Sequence, residues 1–168
     1  MVLPRDQQEL PTGVKTELIY RERLLLVAGP GIVTEDMMQD PSGQIVDLSR
    51  MAQLPFILLK KGHGIRKRAD LVFKRHKVTP NIIMEVSSCI SAVQLAASGL
   101  GITIVPQRAV DVLSGVEEFC CYQYAQLPEG WNVNVVYRED AYLDRAERCF
   151  IDLMKDVFGK EDGKEEKQ

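Results

Sequence analysis

Two short stretches of the sequence combine the residue types that bind small anions. In the first, Gly62-His63-Gly64 lies between an apolar run and an amphipathic helix, with positive charge from Lys60, Lys61 and Arg66 around it. Backbone N–H groups at a helix start have no partner within the helix, and the helix dipole is positive there. Because glycines let a ligand approach the backbone closely, this pattern is typical of an anion site.

The second stretch is Ser87-Ser88, which follows the next apolar strand and precedes another helix. Either serine alone is more simply interpreted as a helix cap. Both helix starts, however, follow neighbouring strands of one predicted sheet, so they lie at its carboxyl edge, where open α/β sheets bind ligands. Taken together, the two starts predict a site for a small anion.

The sequence contains no recognisable catalytic or metal-binding pattern. It lacks the G-x-S-x-G, G-x-x-x-x-G-K-[ST] and H-E-x-x-H motifs, and Gly62-x-Gly64 lacks the third glycine of a dinucleotide fingerprint. The four cysteines show no C-x-x-C spacing and only two histidines are present, so we expect no metal and no cofactor. Reduced thiols are the simplest interpretation, and a redox or metal sensor built on Cys120 and Cys121 stays open as an alternative.

The charge of the chain is unevenly distributed. The net charge is −3, but residues 60–77 hold eight Lys or Arg and one acid, Asp70, so this stretch is +7 and the remainder is −10. A chain that is acidic overall is not typical of a nonspecific nucleic-acid binder. We assign Lys74, Arg75 and Lys77 to a solvated outer face, because they lie off the apolar stripe of their helix.

The central part of the sequence alternates strands with helices. Apolar runs predict the strands, and apolar residues spaced by three and four predict the helices. The predicted elements are strand 55–59, a helix that begins at Ile65 and whose stripe reaches His76, strand 82–86, a helix from Ser87 to Ser98, and strand 102–105. Two right-handed crossovers of this kind give a parallel sheet, which makes the fold α/β.

The flanking segments are less regular. Their patterns predict strands at 18–20 and 24–28, a short helix at 45–51, strands at 119–124 and 131–137, a helix over 143–157 ended by Gly159, and a disordered tail at 160–168. We expect the two flanks to pack together beside the central unit.

Length and composition set the remaining bounds. The chain has 168 residues, of which 45% are apolar, which suits one domain or two small lobes with a sizeable core. No apolar run approaches the length of a membrane span, and the N-terminus has no apolar core of the signal-peptide type. The sequence therefore predicts no membrane partner and a cytoplasmic location.

A family resemblance is carried by Leu54-Pro55-Phe56-Ile57, by Pro80 to Val86, and above all by Val-Gln-Leu-Ala-Ala-Ser-Gly-Leu-Gly-Ile at 93–102 followed by Pro106. In combination these motifs resemble the second lobe of the effector-binding domain of LysR-type transcriptional regulators. Residues 22–27 are similar to the strand that leads into that lobe. Residues 133–158 are similar to the returning strand and final helix.

The resemblance implies a periplasmic-binding-protein-like type II fold, with essentially one complete Rossmann-like lobe and part of the other. On this basis residues 1–28 are a remnant of the first lobe with the connecting strand, 29–115 the second lobe, and 116–159 the return to the first lobe. The family binds a small effector in the cleft between its lobes. The effector-binding candidates, taken from the anion pattern and the family together, are Gly62, His63, Gly64, Ile65, Arg66, Ser87 and Ser88.

The resemblance also implies partners. Full-length members form homo-oligomers and bind DNA through an N-terminal winged helix-turn-helix, which this chain lacks together with most of the first lobe. Where relatives often carry His-Pro-Leu, this chain has Gly29-Pro30-Gly31-Ile32. We therefore expect a C-terminal fragment that alone binds effector weakly and binds no DNA specifically.

Two other functions share the same scaffold. A solute receptor of a transporter can have this fold, although the missing signal peptide argues against it. An enzyme, for instance a transferase that holds phosphate at the basic loop, would need His63 as its general base. A histidine flanked by glycines is more often a plain turn residue, so we favour the regulatory module.

Overall fold

The computed structural model describes residues 12–125 and 131–159. Contacts divide the chain into two compact units, one from Met1–Glu22 with Glu129–Gln168 and the other from Arg23–Pro128. In chain order the elements are β1 Val14–Glu22, β2 Leu24–Ala28, β3 Pro55–Leu59, α1 Gly64–Arg75, β4 Asn81–Val86, α2 Cys89–Ala97, β5 Ile102–Pro106, α3 Gln107–Asp111, β6 Cys120–Tyr122, β7 Trp131–Arg138 and α4 Arg145–Gly159. No helix in the described ranges has both the length and the apolar character needed to cross a bilayer.

The larger unit, Arg23–Pro128, is built on a five-stranded sheet with strand order β4-β3-β5-β2-β6. Strand β3 lies parallel to both β4 and β5, with helices between them along the chain, as the alternating pattern predicts. The α/β fold is therefore confirmed. The sheet as a whole is mixed, because β2 runs antiparallel to its neighbours β5 and β6.

Strands β2 and β6 belong to this sheet, whereas the sequence pattern places them in the flanks outside 29–115. The reason lies in the side chains of β2, four of which are buried and the fifth half-buried. A strand that is buried on both faces needs helices or loops on each side and a paired strand at each edge. Its place between β5 and β6 meets that requirement.

Helices and loops cover both faces of the sheet. On one face Phe56 of β3 meets Phe73 of α1 edge to face, with ring centroids 5.1 Å apart. On the other face Val27, Ile57 and Val105 pack with residues of α2 and α3. Close backbone packing also explains one glycine of the family motif, because a Cβ on Gly101 would lie 2.5 Å from the carbonyl oxygen of Pro55.

Helix α1 ends earlier than its apolar stripe suggests. Its last residue is Arg75, and His76 lies at the C-cap, where its Nε2 is 3.0 Å from the carbonyl oxygen of Ala125. Lys77 adopts a left-handed conformation with φ of 55°, and the N–H of Val78 donates to the Phe73 carbonyl at 2.9 Å. This reversal ends the helix before Pro80 is reached.

The helix predicted at 45–51 is largely wrong. Only Leu48–Met51 forms a helical turn, and it is of the 3-10 type. Val46 instead bridges Met38, and Ile45 bridges Gln123. Asp47 accepts a hydrogen bond from the Ser49 N–H at 2.9 Å, which starts the turn at Leu48 and leaves Ile45 and Val46 extended.

In the smaller unit, β1 and β7 form an antiparallel pair, and α4 packs on β1. The pair joins the two predicted flanks, with a bulge between Leu18 and Tyr20. Ile151 of α4 is buried, and the ring of Tyr20 lies 5.6 Å from that of Phe158. The predictions for residues 160–168 fall outside the described residues.

A charged cluster centred on Glu17 joins the three elements of this unit. The Glu17 carboxylate accepts hydrogen bonds from Lys155 Nζ, Tyr137 Oη and Arg148 Nη1, each at 2.7 Å. These three donors, with that of Lys155 first, lower the pKa of Glu17 to about 2. The cluster therefore holds α4 against the strand pair wherever Glu17 is ionised.

Candidate functional site

The carboxyl ends of β3 and β4 meet at one edge of the larger sheet. Leu59 pairs with Val86 in the parallel register, and the N–H of Lys60 donates to the Val86 carbonyl at 2.9 Å. The loop that carries Gly62-His63-Gly64 therefore begins beside the residue that precedes Ser87-Ser88. The structure thus brings the two predicted helix starts to the same edge.

At the first helix start, the chain turns sharply before α1. Gly62 has a φ of +98°, a conformation that side chains rarely adopt, and the N–H of His63 donates to the Lys60 carbonyl at 3.2 Å. His63 is the N-cap residue, yet its side chain makes no capping hydrogen bond. The first helical bond runs from Lys67 N–H to the His63 carbonyl, so the N–H groups of residues 64–66 precede it.

The electrostatic character of this start is positive. The first turn of α1 holds no acid, and both Lys60 and Lys61 are exposed in the loop before it. The side chain of Ile65 is half-buried and packs against the core beneath α2, so the hydrogen-bond donor that Ile65 offers is its backbone N–H. Donors, dipole and lysines all favour a negatively charged group here.

The second helix start is partly used by the protein itself. Ser88 is the N-cap of α2, and its hydroxyl oxygen accepts a long hydrogen bond of 3.5 Å from the Ser91 N–H. Ser87 precedes the cap and is exposed. The first turn of α2 also holds no acid. The simple capping interpretation thus describes Ser88, while the Ser87 hydroxyl faces solvent beside it.

Arg66 has a different position from the one expected of a ligand-binding cation. Its side chain is only 4% exposed, and its guanidinium donates to the Leu59 carbonyl and to Asp70 Oδ1, each at 2.9 Å, and to the carboxylate of Glu85. Burial alone lowers the pKa of Arg66, but the hydrogen bonds that its guanidinium donates to Glu85 and Asp70 raise the pKa overall. Arg66 therefore braces the ends of β3 and β4 against α1.

Sequence reasoning missed the acceptors that hold Arg66. Glu85 stands near the end of β4, and the Arg66 guanidinium lowers the pKa of its carboxyl group, with smaller contributions from Lys61 and Lys60. The available signal was an acid at the end of one strand, next to a cation one turn into the neighbouring crossover helix. Asp70 lies at i+4 from Arg66, which is itself a recognisable helical ion pair.

The vicinal cysteines lie away from this edge of the sheet, on β6. Neighbouring residues of a strand point to opposite faces, so Cys120 and Cys121 do not present a paired dithiol. Burial, followed by the proximity of Cys120 and Asp111, raises the pKa of the Cys121 thiol to about 11. Within the described ranges, His, Cys, Asp and Glu side chains form no group of three that could hold a metal ion.

Curated relatives of this chain are transcriptional regulators. It is 28% identical over 147 residues to a probable hydrogen peroxide-inducible genes activator of Mycobacterium avium, covering 87% of this chain and 45% of the relative. It is 25% identical over 168 residues to the HTH-type transcriptional regulator CzcR of Bacillus anthracis, covering 91% and 58%. The chain thus spans about half the length of the relatives it matches.

Solved structures agree in fold. The regulatory domain of CcmR from Synechocystis PCC6803, solved in complex with 2-PG, matches with a TM-score of 0.74 at 18% identity, covering 93% of this chain and 71% of that one. The effector binding domain of QuiR, solved in complex with shikimate, matches with a TM-score of 0.69 at 17% identity, covering 90% and 68%. These likenesses confirm the periplasmic-binding-protein-like fold that the resemblance implied.

A sequence model of the LysR substrate binding domain matches residues 2–159, which is nearly the whole chain. That match agrees with the motif at 93–102, with the parallel pairing of β3 and β4, and with the regulators among the relatives. The chain belongs to the LysR substrate-binding domain family.

Proposed function

We propose that this chain is the ligand-sensing part of a LysR-type transcriptional regulator and that it binds a small anionic effector. The observation that carries the proposal is the meeting of two helix starts, each without an acid in its first turn, at the carboxyl edge of β3 and β4. The exposed Lys60 and Lys61 beside them supply the charge that attracts a carboxylate or phosphate.

Each candidate residue has a part in this proposal. Gly62 allows the turn, and the N–H groups of Gly64 and Ile65 donate to the anion. The imidazole of His63 and the hydroxyl of Ser87 supply further hydrogen bonds at its rim. Ser88 holds the start of α2 in place. Arg66 orients this edge of the sheet and does not contact the anion, because it is buried and its Nε and Nη1 donors are engaged by protein acceptors.

The solved relatives support the ligand class. QuiR was solved with shikimate, which carries a carboxylate, and CcmR with 2-PG. A solute receptor is not favoured, because the curated relatives are regulators. We also propose a cytoplasmic location, self-association, and DNA binding through a helix-turn-helix domain outside these 168 residues.

Titration calorimetry of the purified chain with shikimate and 2-phosphoglycolate tests the anion site. We expect binding that weakens when Lys61→Gln or Ser87→Ala is introduced, by about two- to fivefold for the lysine, the range expected for one charge near a helix start. Gly64→Val should weaken binding more, because a branched side chain blocks approach to the N–H groups. Lys77→Gln is the matched control, since Lys77 lies beyond the other end of α1.

Two results would contradict the proposal. One is the absence of binding by either anion at millimolar concentration, and the other is binding that all three variants leave unchanged. Loss of binding in the control as well would assign the effect to overall charge and not to the edge of the sheet.

A further inference from the structure

The edge of the sheet at which α1 and α2 begin also includes the end of a third strand. Strand β5 lies beside β3 and parallel to it, with Ile102 opposite Phe56. Continuing this pairing one residue at a time places Pro106, the last residue of β5, opposite Lys60, the residue that follows β3. Gln107 comes directly after Pro106. It therefore lies at the same edge, one strand spacing of about 4.8 Å from the strand that leads into α1.

The backbone and the helix position of Gln107 direct it towards the start of α2. Its N–H donates to the Arg23 carbonyl at 2.9 Å, which holds the first residue of α3 against the start of β2. Val110, one helical turn further on, is buried in the same apolar cluster as Ala92 and Val93 of α2. Side chains three residues apart share one side of a helix, so Gln107 lies on the side of α3 that faces α2. Because both helices begin at the same edge, that position is beside the start of α2.

The side chain of Gln107 keeps its hydrogen-bonding groups open. Gln107 is half-buried, and its amide forms no side-chain hydrogen bond with any residue that the structure describes. Its neighbours Arg23 and Arg108 differ, because both have interaction partners within the protein. A glutamine amide offers a donor and an acceptor together and carries no charge. Gln107 is therefore suited to a neutral hydrogen-bonding group and not to the anion itself.

On the basis of the anion site described under the proposed function, we propose that Gln107 determines effector specificity and that the effector is a hydroxylated carboxylate. The carboxylate binds at the starts of α1 and α2, where the N–H groups and the lysines lie, and a hydroxyl group of the same molecule reaches Gln107. That hydroxyl donates to the amide oxygen or accepts from the amide nitrogen. Gln107 thus selects among anions of similar charge, which Lys60 and Lys61 alone do not distinguish.

The spacing of the strands sets the size of such a molecule. The site crosses from β4 over β3 to β5, which is two strand spacings, or about 10 Å. A six-membered ring with a carboxylate at one end and a hydroxyl at the other fills that span once a hydrogen bond of about 2.8 Å to Gln107 is added. A small ion such as phosphate reaches the helix starts but not Gln107, so its affinity does not depend on this residue.

Titration calorimetry with a matched pair of ligands tests the role of Gln107. Shikimate carries a carboxylate and hydroxyl groups on a six-membered ring, whereas cyclohex-1-ene-1-carboxylate has the same ring and carboxylate without the hydroxyls. We expect the unaltered chain to bind shikimate more tightly. Gln107→Leu should weaken shikimate binding by about two- to tenfold, the range for one neutral hydrogen bond, and leave the binding of the second ligand unchanged. Gln94→Leu is the matched control, because Gln94 is exposed in the second half of α2, away from the helix start.

A charge placed at position 107 gives a second readout, which reports the distance to the ligand. Gln107→Glu has almost the same shape as the native side chain, but its carboxylate repels any anion bound close by. We expect this variant to weaken the binding of both ligands, and this effect to diminish as salt is added. Gln94→Glu, at the more distant position, should change the binding of neither ligand. Circular dichroism verifies that each variant is folded.

The outcomes separate the role of Gln107 from the anion site itself. Shikimate binding that both Gln107 variants leave unchanged, or an equal loss of both ligands in Gln107→Leu, would overturn the role of Gln107. Equal or tighter binding of the ligand without hydroxyls by the unaltered chain would overturn the effector class. In each of these cases the anion site still stands if Lys61→Gln weakens the binding of cyclohex-1-ene-1-carboxylate. If neither ligand binds at millimolar concentration, both proposals fail.

Discussion

Replacing Arg66 by methionine tests whether the buried guanidinium holds the carboxyl ends of β3 and β4 against α1. Methionine keeps most of the aliphatic stem but removes the donors to the Leu59 carbonyl, Asp70 and Glu85. We expect the free energy of unfolding of the larger unit to fall, because these acceptors lose a partner that is itself only 4% exposed.

The size of the loss in unfolding free energy depends on which of the three acceptors can be hydrated once the guanidinium is removed. Removing one partner of a fully buried ion pair costs about 3–5 kcal/mol. The side chains of Asp70 and Glu85 are 50% and 39% exposed, so both carboxylates can hydrate and most of that cost does not apply. The Leu59 carbonyl, to which Arg66 donates in a buried position, loses its bond at a cost of about 1–3 kcal/mol. We expect a loss of about 2 kcal/mol in total.

Urea unfolding at pH 7, followed by circular dichroism, measures this loss. Lys67→Met is the matched control, because Lys67 is the next residue of α1 and is exposed. The Arg66 guanidinium lowers the pKa of Glu85, so this contribution to stability is present above the ordinary pKa of 4.5 and is lost as the pH falls further. The difference in the free energy of unfolding between the unaltered chain and the Arg66→Met variant should therefore become smaller as the pH falls below 4.5. A loss in unfolding free energy below about 0.5 kcal/mol at pH 7, the size of a typical surface substitution, would refute a stabilising role for the buried Arg66.

Three further predictions concern other parts of the molecule. Glu17→Gln should lower the melting temperature at pH 7. Because the pKa of Glu17 is about 2 in the folded chain and 4.5 ordinarily, the difference in melting temperature should shrink as the pH falls below 4.5, and parallel melts from pH 7 to 3 measure it. Gly101→Ala should cost at least about 2 kcal/mol in urea unfolding, because its Cβ meets the Pro55 backbone. At pH 8, the Cys121 thiol, which is exposed but has its pKa raised to about 11, should alkylate about tenfold more slowly than a small-molecule thiol of ordinary pKa, as followed by mass spectrometry.

Elements that rest on strong local patterns could be predicted from the sequence. The apolar run of β3 and the motif at 93–102 determine the parallel core, because a strand covered on both faces has no polar residues to alternate with. The helix starts at His63 and Ser88 follow from a turn glycine in one case and a capping serine in the other. Both kinds of signal are contained within a few residues.

Features that depend on distant partners could not be predicted in the same way. The segment at 45–51 has helical spacing, but Val46 bridges Met38 and Ile45 bridges Gln123, so long-range pairing overrides the local preference. The antiparallel place of β2 likewise depends on β5 and β6, which lie far along the chain. Neither pairing has a signal within the segment itself.

In the candidate site, too, some features follow from local sequence and others depend on distant partners, and the difference can be seen for single charged residues. Of the cations between residues 60 and 77, Lys60 and Lys61 are exposed beside the helix start, Lys67 and Lys74 form an outer row, and Arg66 is buried against Glu85. Sequence spacing assigns Lys74, Arg75 and Lys77 to an outer face, because they lie off the apolar stripe, and all three are exposed. Spacing pairs Arg66 with Asp70 at i+4, but it does not show that Arg66 is buried, since its second acid, Glu85, belongs to strand β4, nineteen residues away. Local charge therefore identifies the positive region of the chain, whereas the partners of each cation decide which of them stay available to a ligand.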